Sequence, residues 1–241
     1  MKRVVDLLIA AIVLIVLSPL LVVVSFLIWV QDRRSPFYIA DRVGRDMKPF
    51  RMVKFRSMVV NADKTGVDST SANDSRITSI GKFVRKTKLD EVPQMWNVVK
   101  GEMSLVGPRP NVSREVALYT DVEKHLLDVR PGITDYASIV FADEGEILAD
   151  KADPDIAYNQ LIRPGKSRLG LFYVSTHSTV ADLRLLLLTV VNAVNREKAL
   201  AGCVSALRKR DAPADLCELA TRTVDLVPAP PPGSDEIVTR R

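Results

Sequence analysis

Two adjacent carboxylates, Asp90 and Glu91, are the residues of this chain whose types and spacing could do chemistry. One could attack phosphorus as a nucleophile while the other holds Mg²⁺, which takes one or two protein carboxylates and fills its remaining positions with water and phosphate oxygens. A basic segment, residues 82–88, precedes the pair, and a Gly-Pro-Arg-Pro turn with Arg109 follows it. Such cations would neutralise the charge that builds on a transferred phosphoryl group, so the pattern favours an anionic substrate.

The pair also has an ordinary structural explanation as the start of a helix. Pro93 is tolerable only in a first helical turn, so a helix is predicted to begin with Asp90 as its cap, where the helix dipole favours the ionised carboxylate. Arg109 stands between two prolines and is harder to explain as a surface charge, because a stiff turn suits bidentate contacts to phosphate. Taken singly, the other cations of interest are typical of solvated surfaces: Lys54, Arg56 and Arg85.

Residues 7–30 form an almost uninterrupted apolar run. The run exceeds the roughly 20 residues that cross a bilayer core, and it lacks the cleavage site of a signal peptide. Pro19, which follows Ser18, removes a backbone donor, so the helix is predicted to kink or break there. Basic residues on both sides of the run favour a helix that turns at this point and returns to the same leaflet. One ordinary span with weak charge asymmetry is the alternative, and the charges alone leave both open.

The composition limits the classes of function. A net charge of +5 and a pI near 9.2 suit an anionic membrane surface, where each nearby Lys or Arg contributes about 1 kcal/mol of attraction. Nucleic acid is disfavoured, because the basic residues are not interleaved with stacking aromatics and no nucleic-acid-binding signature occurs. Neither the cysteines, Cys203 and Cys217, nor the histidines, His125 and His177, have the spacing of a zinc, redox or nucleophile site. The chemistry must therefore come from carboxylates and bases.

Apolar periodicity and turn residues divide the rest of the chain. The predicted elements are strands at 36–40 and 49–58, a mobile loop at 61–75, and helices from residue 78 and over 90–101, 113–129 and 178–195. The last helix is short for a membrane span, so it either packs in the core or lies in the membrane interface. An acidic run at 143–150 is typical of a solvated loop, and the Pro-rich end is typical of a flexible tail.

At these residues the chain resembles the bacterial sugar transferases, which are monotopic polyprenol-phosphate phosphoglycosyl transferases. The resemblance covers residues 1 to about 195 and consists of several blocks in order. The blocks are the membrane segment with Ser18 and Pro19, Lys-Phe-Arg-Ser-Met at 54–58, and the segments 85–94, 97–110 and 130–134. A chance match of that extent is very rare, so the resemblance carries specific expectations.

The resemblance implies transfer of a sugar phosphate from a nucleotide diphospho-sugar, typically a UDP-sugar, to polyprenol (undecaprenyl) phosphate. The reaction would release a nucleoside monophosphate and start a membrane-bound glycan such as an exopolysaccharide, capsule, O-antigen or protein-linked glycan. Asp90 matches the residue that forms a covalent phospho-sugar intermediate, and Glu91 matches one that helps to bind Mg²⁺. The residues in matching basic motifs, which would contact phosphates, are Lys54, Arg56, Arg85, Arg109 and Arg130.

The resemblance also implies an α+β fold in a monotopic membrane protein. A re-entrant helix with its break at Ser18 and Pro19 would occupy residues 1–32, and a compact α/β catalytic domain with interfacial amphipathic helices would occupy 33–195. That domain would lie on the cytoplasmic face of the bacterial inner membrane, and residues 196–241 would form the flexible tail. The implied partners are polyprenol phosphate, the nucleotide sugar and membrane lipids, and the resemblance leaves a homodimer open.

Two departures from the family pattern leave the sugar undetermined. Many members have Gly, an aromatic residue, Ala and Gln where this chain has Asp-Tyr-Ala-Ser at 135–138, and a Gln is frequent at the position of Ala40. Two rival functions also remain. A membrane phosphodiester hydrolase would use the same cations with water as acceptor and would yield free sugar phosphate, whereas in a non-catalytic membrane scaffold Asp90 would only cap a helix.

Overall fold

The computed structural model describes residues 1–62, residue 70 and residues 74–239, so the predicted loop at 61–75 lies largely outside it. The described chain combines helices with two small sheets, as the α+β prediction requires. The strands are β1 (Phe37–Val43), β2 (Pro49–Phe55), β3 (Ser104–Val106) and β4 (Gly132–Thr134). The α-helices are α1 (Lys2–Asp32), α2 (Ser79–Lys86), α3 (Met95–Lys100), α4 (Ser113–Val116), α5 (Asp121–Lys124), α6 (Tyr136–Val140), α7 (Glu144–Ile147), α8 (Pro154–Ala157), α9 (Arg163–Thr176), α10 (Thr179–Val194), α11 (Arg196–Arg208) and α12 (Ala214–Thr221).

The two sheets have opposite pairing. Strands β1 and β2 form an antiparallel hairpin, whereas β3 and β4 pair in parallel. The hairpin and α10 agree with the predicted strands and the predicted helix over 178–195. The single helix predicted over 113–129 is wrong, because Thr120 begins a new helix. Its hydroxyl accepts the N–H of Glu123 at 3.1 Å, and the Glu123 carboxylate accepts the N–H of Thr120, which forms a capping box.

Helix α1 continues without interruption through Ser18 and Pro19. Pro19 has no N–H to donate to the carbonyl of Ile15, and the hydroxyl of Ser18 donates to that oxygen instead, at 2.8 Å. The hydroxyl thus provides the hydrogen bond that proline removes. The helix does not break at this point, and the re-entrant path through a membrane stays a prediction.

Both ends of α1 contact the same folded domain. At the first turn, Lys2 forms an ion pair with Asp182 of α10 at 2.6 Å, and Asp6 accepts a hydrogen bond from Ser104 of β3 at 2.7 Å. At the last turn, the Asp32 carboxylate binds the guanidinium of Arg56, which follows β2. Between these ends, residues 11–23 include no buried residue. The apolar middle of α1 is therefore the part that faces away from the domain.

Helices α11 and α12 correct the prediction of a flexible tail from residue 196 onward. Both pack into the main core, and Leu207 of α11 is fully buried. A Cβ added to Gly202 would lie 2.3 Å from Leu188 of α10, so glycine permits the close approach of these two helices. The sequence prediction missed this packing because half of the buried positions of α11 are Ala or Cys, which weaken the hydrophobic period.

The Pro-rich segment after α12 folds back on the domain. The N–H of Ala229 donates to the carbonyl of Gln160 at 3.0 Å, and the Gln160 side chain donates to the carbonyl of Val238 at 2.7 Å. The hydroxyl of Thr120 donates to the carbonyl of Pro232. The segment therefore lies against α5 and the π-helical turn Tyr158–Ile162.

We expect Leu207→Ala to lower the free energy of unfolding by about 2–5 kcal/mol, because truncation of a fully buried leucine leaves a cavity. Val224→Ala, at a largely exposed position beyond α12, is the matched control and should change it by less than about 0.5 kcal/mol. Chemical denaturation of the detergent-solubilised chain, followed by tryptophan fluorescence, measures both. Equal stability of the two variants would show that α11 does not contribute to the core.

Candidate active site

Asp90 lies inside a 3-10 helical turn, Leu89–Gln94, that connects α2 to α3. The residue at the start of this turn is Lys88, whose backbone is left-handed with φ of 57°. The prediction that Asp90 caps a helix is therefore wrong, because the reversal of the chain at Lys88 starts the turn two residues earlier. Pro93 fits within the turn, and Asp90, at 9% exposure, faces the interior.

The carboxylate of Asp90 is buried with an unsatisfied oxygen. Its Oδ1 atom has no hydrogen-bond partner among the residues that the structure describes. Burial and the neighbouring Glu91 raise the pKa of Asp90, although Lys54 and Arg85 oppose the rise. The expectation that a helix dipole favours the ionised form is thus outweighed by desolvation. A buried group of this kind is typical of functional sites.

Glu91 forms an ion pair with Arg109, which follows β3. Burial alone would raise the pKa of Glu91, but Arg109 and Lys54 outweigh it and lower that pKa to about 2. The turn that carries Arg109 begins at Gly107, where an added Cβ would lie 2.5 Å from the carbonyl oxygen of Arg130. Close packing of this turn on the chain before β4 therefore fixes the base of the Arg109 side chain.

Two further cations of the hairpin have no carboxylate partner within the described ranges. Burial and the nearby Arg109 lower the pKa of Lys54 to about 8. Burial also lowers the pKa of Arg42, with Arg109 and Arg114 adding to the effect. Sequence reasoning did not place Arg42 at the site, although the two-residue alternation of the hairpin puts it on the same face as Lys54. Partly buried cations without a paired carboxylate favour a phosphate-bearing ligand.

Arg56 and Arg130 are not brought together with Asp90. The guanidinium of Arg56 is nearly buried against Asp32 at the end of α1, with Nη2 2.6 Å from Oδ1. Arg130 donates through Nε to the carbonyl of Gly101 at 2.9 Å. Of the residues predicted to act at the site, the structure groups Asp90 with four others. These are Glu91, Lys54, Arg85 and Arg109.

The acidic run at 143–150 is only in part the solvated run that the sequence predicted, because Glu146 and Asp150 are exposed whereas Asp143 and Glu144 are paired. Glu144 forms an ion pair with Lys166, and the pKa of Glu144 is lowered by Lys166 and also by Arg109, although burial opposes this. Asp143 binds Arg196 at 2.9 Å and Arg222, which follows α12, at 3.1 Å. Pairing with cations from α9 and α11, which are distant in sequence, explains why a local pattern did not reveal it.

The departure from the family pattern at 135–138 is a helix cap. The Oδ1 atom of Asp135 accepts hydrogen bonds from the N–H and the hydroxyl of Ser138, both at 2.7 Å. Asp135 is almost fully buried, and burial raises its pKa. Its carboxylate therefore serves the start of α6.

The carboxylates present at the site fit a magnesium ion that is shared with substrate. Within the described ranges, no group of three or more His, Cys, Asp or Glu side chains comes together. Asp90 and Glu91 offer two carboxylates, one of which has an unpaired oxygen. Mg²⁺ usually takes one or two carboxylates from a protein and its other ligands from water and phosphate oxygens.

We expect Arg109→Gln to destabilise the chain by about 1–2 kcal/mol at pH 7, since it leaves Glu91 partly buried without its partner. The low pKa of Glu91 in the folded state contributes stability above its ordinary value of 4.5, and this contribution is lost as the pH falls toward 2. The difference between wild type and variant should therefore shrink over that interval. Unfolding free energies at pH 7, 4 and 3 test this.

Lys124→Gln, which disrupts an exposed pair with Asp121, is the control for the charge change and should have little effect at any of these pH values. A destabilisation by Arg109→Gln that does not vary with pH would contradict the role assigned to the Glu91 carboxylate.

Comparison with known proteins identifies the family of this chain. Residues 1–196 match the family model of bacterial sugar transferases. The chain is 35% identical to the UDP-glucose:undecaprenyl-phosphate glucose-1-phosphate transferase of Klebsiella pneumoniae over 193 residues. The aligned region covers 78% of this chain and 39% of that protein. It is 42% identical to the UDP-galactose-lipid carrier transferase of Erwinia amylovora over 149 residues. This aligned region covers 56% of this chain and 31% of that protein.

A third relative is closer in length. The exopolysaccharide production protein ExoY of Sinorhizobium fredii is 39% identical over 148 residues, which cover 55% of this chain and 66% of that protein. The chain thus spans less than two fifths of the Klebsiella and Erwinia relatives but about two thirds of this one. Because the family match extends over residues 1–196 and includes the Asp90 site, the chain belongs to the bacterial sugar transferase family.

Proposed function

We propose that this chain transfers a sugar phosphate from a UDP-sugar to undecaprenyl phosphate, with Asp90 as the nucleophile. The observation that carries the proposal is the Asp90 carboxylate, which is buried with an unpaired oxygen near Lys54, a cation that has no carboxylate partner in the described chain. The names of the Klebsiella and Erwinia relatives, both transferases of UDP-sugars, support the choice of donor.

The proposed reaction has two displacements at one phosphorus atom. An oxygen of Asp90 attacks the phosphorus that carries the sugar, and the bond from this phosphorus to the oxygen that bridges it to the uridylyl group breaks, which releases UMP. A phosphate oxygen of the polyprenol phosphate then attacks the same phosphorus. The bond to Asp90 breaks, the carboxylate is restored, and the polyprenol diphosphate-sugar is the product.

The cations of the site stabilise the charge that develops on the phosphoryl oxygens. Lys54 and Arg42 approach from the hairpin, and Arg85 approaches from α2. Arg109 is oriented by its ion pair with Glu91. Mg²⁺, when held by Glu91, would neutralise part of the charge of the diphosphate. Partial burial of Lys54 and the ion pair of Arg109 restrain these cations, so little reorganisation is needed during the reaction.

The membrane association of the chain is supported by two apolar surfaces. Among the described residues, only α1 is long and apolar enough to cross a bilayer. Both of its ends contact one domain, which favours a monotopic arrangement with both ends at the same leaflet over a single span. The cytoplasmic leaflet is part of the same proposal and follows the family resemblance. Helix α10 buries one face in the core and exposes an apolar face, as an interfacial helix would. The exposed residues of that face are Val180, Leu183, Leu187, Val190 and Val194.

We expect Asp90→Asn to reduce transfer by at least roughly a thousandfold, because the neutral amide cannot form the acyl phosphate. Asp121→Asn, an exposed carboxylate, is the control and should retain full activity. The assay incubates the purified chain with Mg²⁺, undecaprenyl phosphate and a panel of UDP-sugars, and it measures release of UMP and lipid-linked product.

Full activity of the Asp90→Asn variant would refute the nucleophile. Release of free sugar phosphate in place of lipid-linked product would identify a hydrolase, and no turnover of any donor by wild type would favour a scaffold.

The pH dependence of kcat/KM should be bell-shaped, because it reports the ionisation of the free enzyme. As the pH rises through about 8, Lys54 loses its proton and activity should fall. As the pH falls through the raised pKa of Asp90, the nucleophile gains a proton and activity should fall again. Lys54→Arg should move the alkaline limb to higher pH, since arginine keeps its charge. An unchanged alkaline limb in this variant would exclude Lys54 as its source.

A further inference from the structure

A second basic cleft lies beside the turn of the β1–β2 hairpin, apart from Asp90. Its cavity, of about 280 Å³, is enclosed by the hairpin turn on one side and by the segment after α3 on the other. The cations on its wall are Arg45, Lys48 and Arg130. Lys54 of the active site is five residues along β2 from Pro49 at the turn, a distance of roughly 16 Å.

The cations of the cleft are not balanced by the acids near them. The pKa of Arg130 is lowered by burial, by Arg45 and by Arg3 of the first turn of α1. The Nη1 atom of Arg3 is buried and has no hydrogen-bond partner in the part of the chain that the structure describes. Its Nη2 atom donates to the carbonyl of Val99 at 3.2 Å. An unsatisfied buried guanidinium nitrogen is costly, so an anion that accepts from it would be favoured.

The two acids on the wall already have partners. Asp46 binds its neighbour Arg45 at 3.2 Å, and both side chains are about half exposed. Glu102 binds Lys100 at 2.5 Å and the side-chain amide of Asn97 at 2.7 Å. The carboxylate of Glu102 therefore serves α3, whereas Lys48 and Arg130 on the wall form no ion pair within the described residues, and Arg3 adds positive charge beside Arg130.

The position of Arg3 relates the cleft to the membrane. Arg3 precedes Val4 and Leu8, which are exposed apolar residues on the first two turns of α1. These residues belong to the helix that would enter the bilayer, so Arg3 is expected to lie at the level of the lipid headgroups. Arginine at this level contacts phosphate through parallel N–H donors.

We propose that this cleft is a second phosphate-binding site, which holds the headgroup phosphate of an anionic phospholipid while the active site acts on its own substrates. The inference does not depend on the proposed reaction, since none of the residues that form the cleft belongs to the Asp90 group. A free phosphate ion presents the same charged oxygens, so it must be tested as a separate ligand.

The experiment titrates the full chain, purified in a neutral detergent, with phosphatidylglycerol, with phosphatidylcholine and with inorganic phosphate, and counts retained ligands by native mass spectrometry. We expect one phosphatidylglycerol to be retained in preference to phosphatidylcholine. Lys48→Gln and Arg130→Gln should each weaken that retention about tenfold, the effect of losing one charge-assisted contact. Arg34→Gln removes an exposed charge at the other end of α1 and should change retention less than about twofold.

Each outcome decides the proposal. Because Lys48 is exposed, its variant should fold normally, whereas Arg130→Gln loses a bond to Gly101 and needs a parallel measurement of thermal stability. Equal retention by wild type, Lys48→Gln and Arg34→Gln would overturn the site. Saturable binding of inorganic phosphate without selective retention of phosphatidylglycerol would overturn the assignment to a lipid.

Discussion

Burial of the Asp90 carboxylate with an unpaired Oδ1 atom is the constraint on which the active site depends. Desolvation and Glu91 favour the protonated acid, whereas Lys54 and Arg85 favour the carboxylate. The ion pair with Arg109 keeps Glu91 ionised and leaves Lys54 without a carboxylate of its own. A phosphate-bearing ligand would complete this arrangement, because it supplies the negative charge that Lys54 and Arg42 lack.

The scaffold holds these groups by contacts between segments that are distant in sequence. The hairpin brings Lys54 and Arg42 to one face, and the close packing of Gly107 on the chain before β4 fixes the turn that carries Arg109. Helix α1 is attached to the same domain at both ends, through Lys2 and through Asp32. A nucleophile on a domain attached in this way would act close to the surface of a membrane, where a polyprenol phosphate presents its headgroup.

Local patterns predicted which residues come together better than how they are held. The order of motifs singled out Asp90, Glu91 and Arg109, which the structure groups, and the apolar pattern predicted both strands of the hairpin. The cap assigned to Asp90 failed because a left-handed Lys88 starts the turn earlier, and such a conformation has no strong sequence signal outside glycine.

Contacts over long distances in the chain account for the other failures. Arg56 pairs with Asp32 of α1. Helix α11 packs on the core although the small residues among its buried positions weaken its hydrophobic period. The helical path through Pro19 depends on one hydroxyl bond from Ser18, which a rule about proline alone does not foresee.

The role of Asp90 as the nucleophile is tested most directly by locating the covalent intermediate. The purified chain would be incubated with Mg²⁺ and a UDP-sugar labelled with ³²P in the phosphate next to the sugar, without polyprenol phosphate, and then quenched in acid and digested. We expect label on the peptide that contains Asp90, with one UMP released for each label, and loss of that label when polyprenol phosphate is added before the quench. Label on another residue, or transfer to polyprenol phosphate by a chain that never carries label, would contradict it.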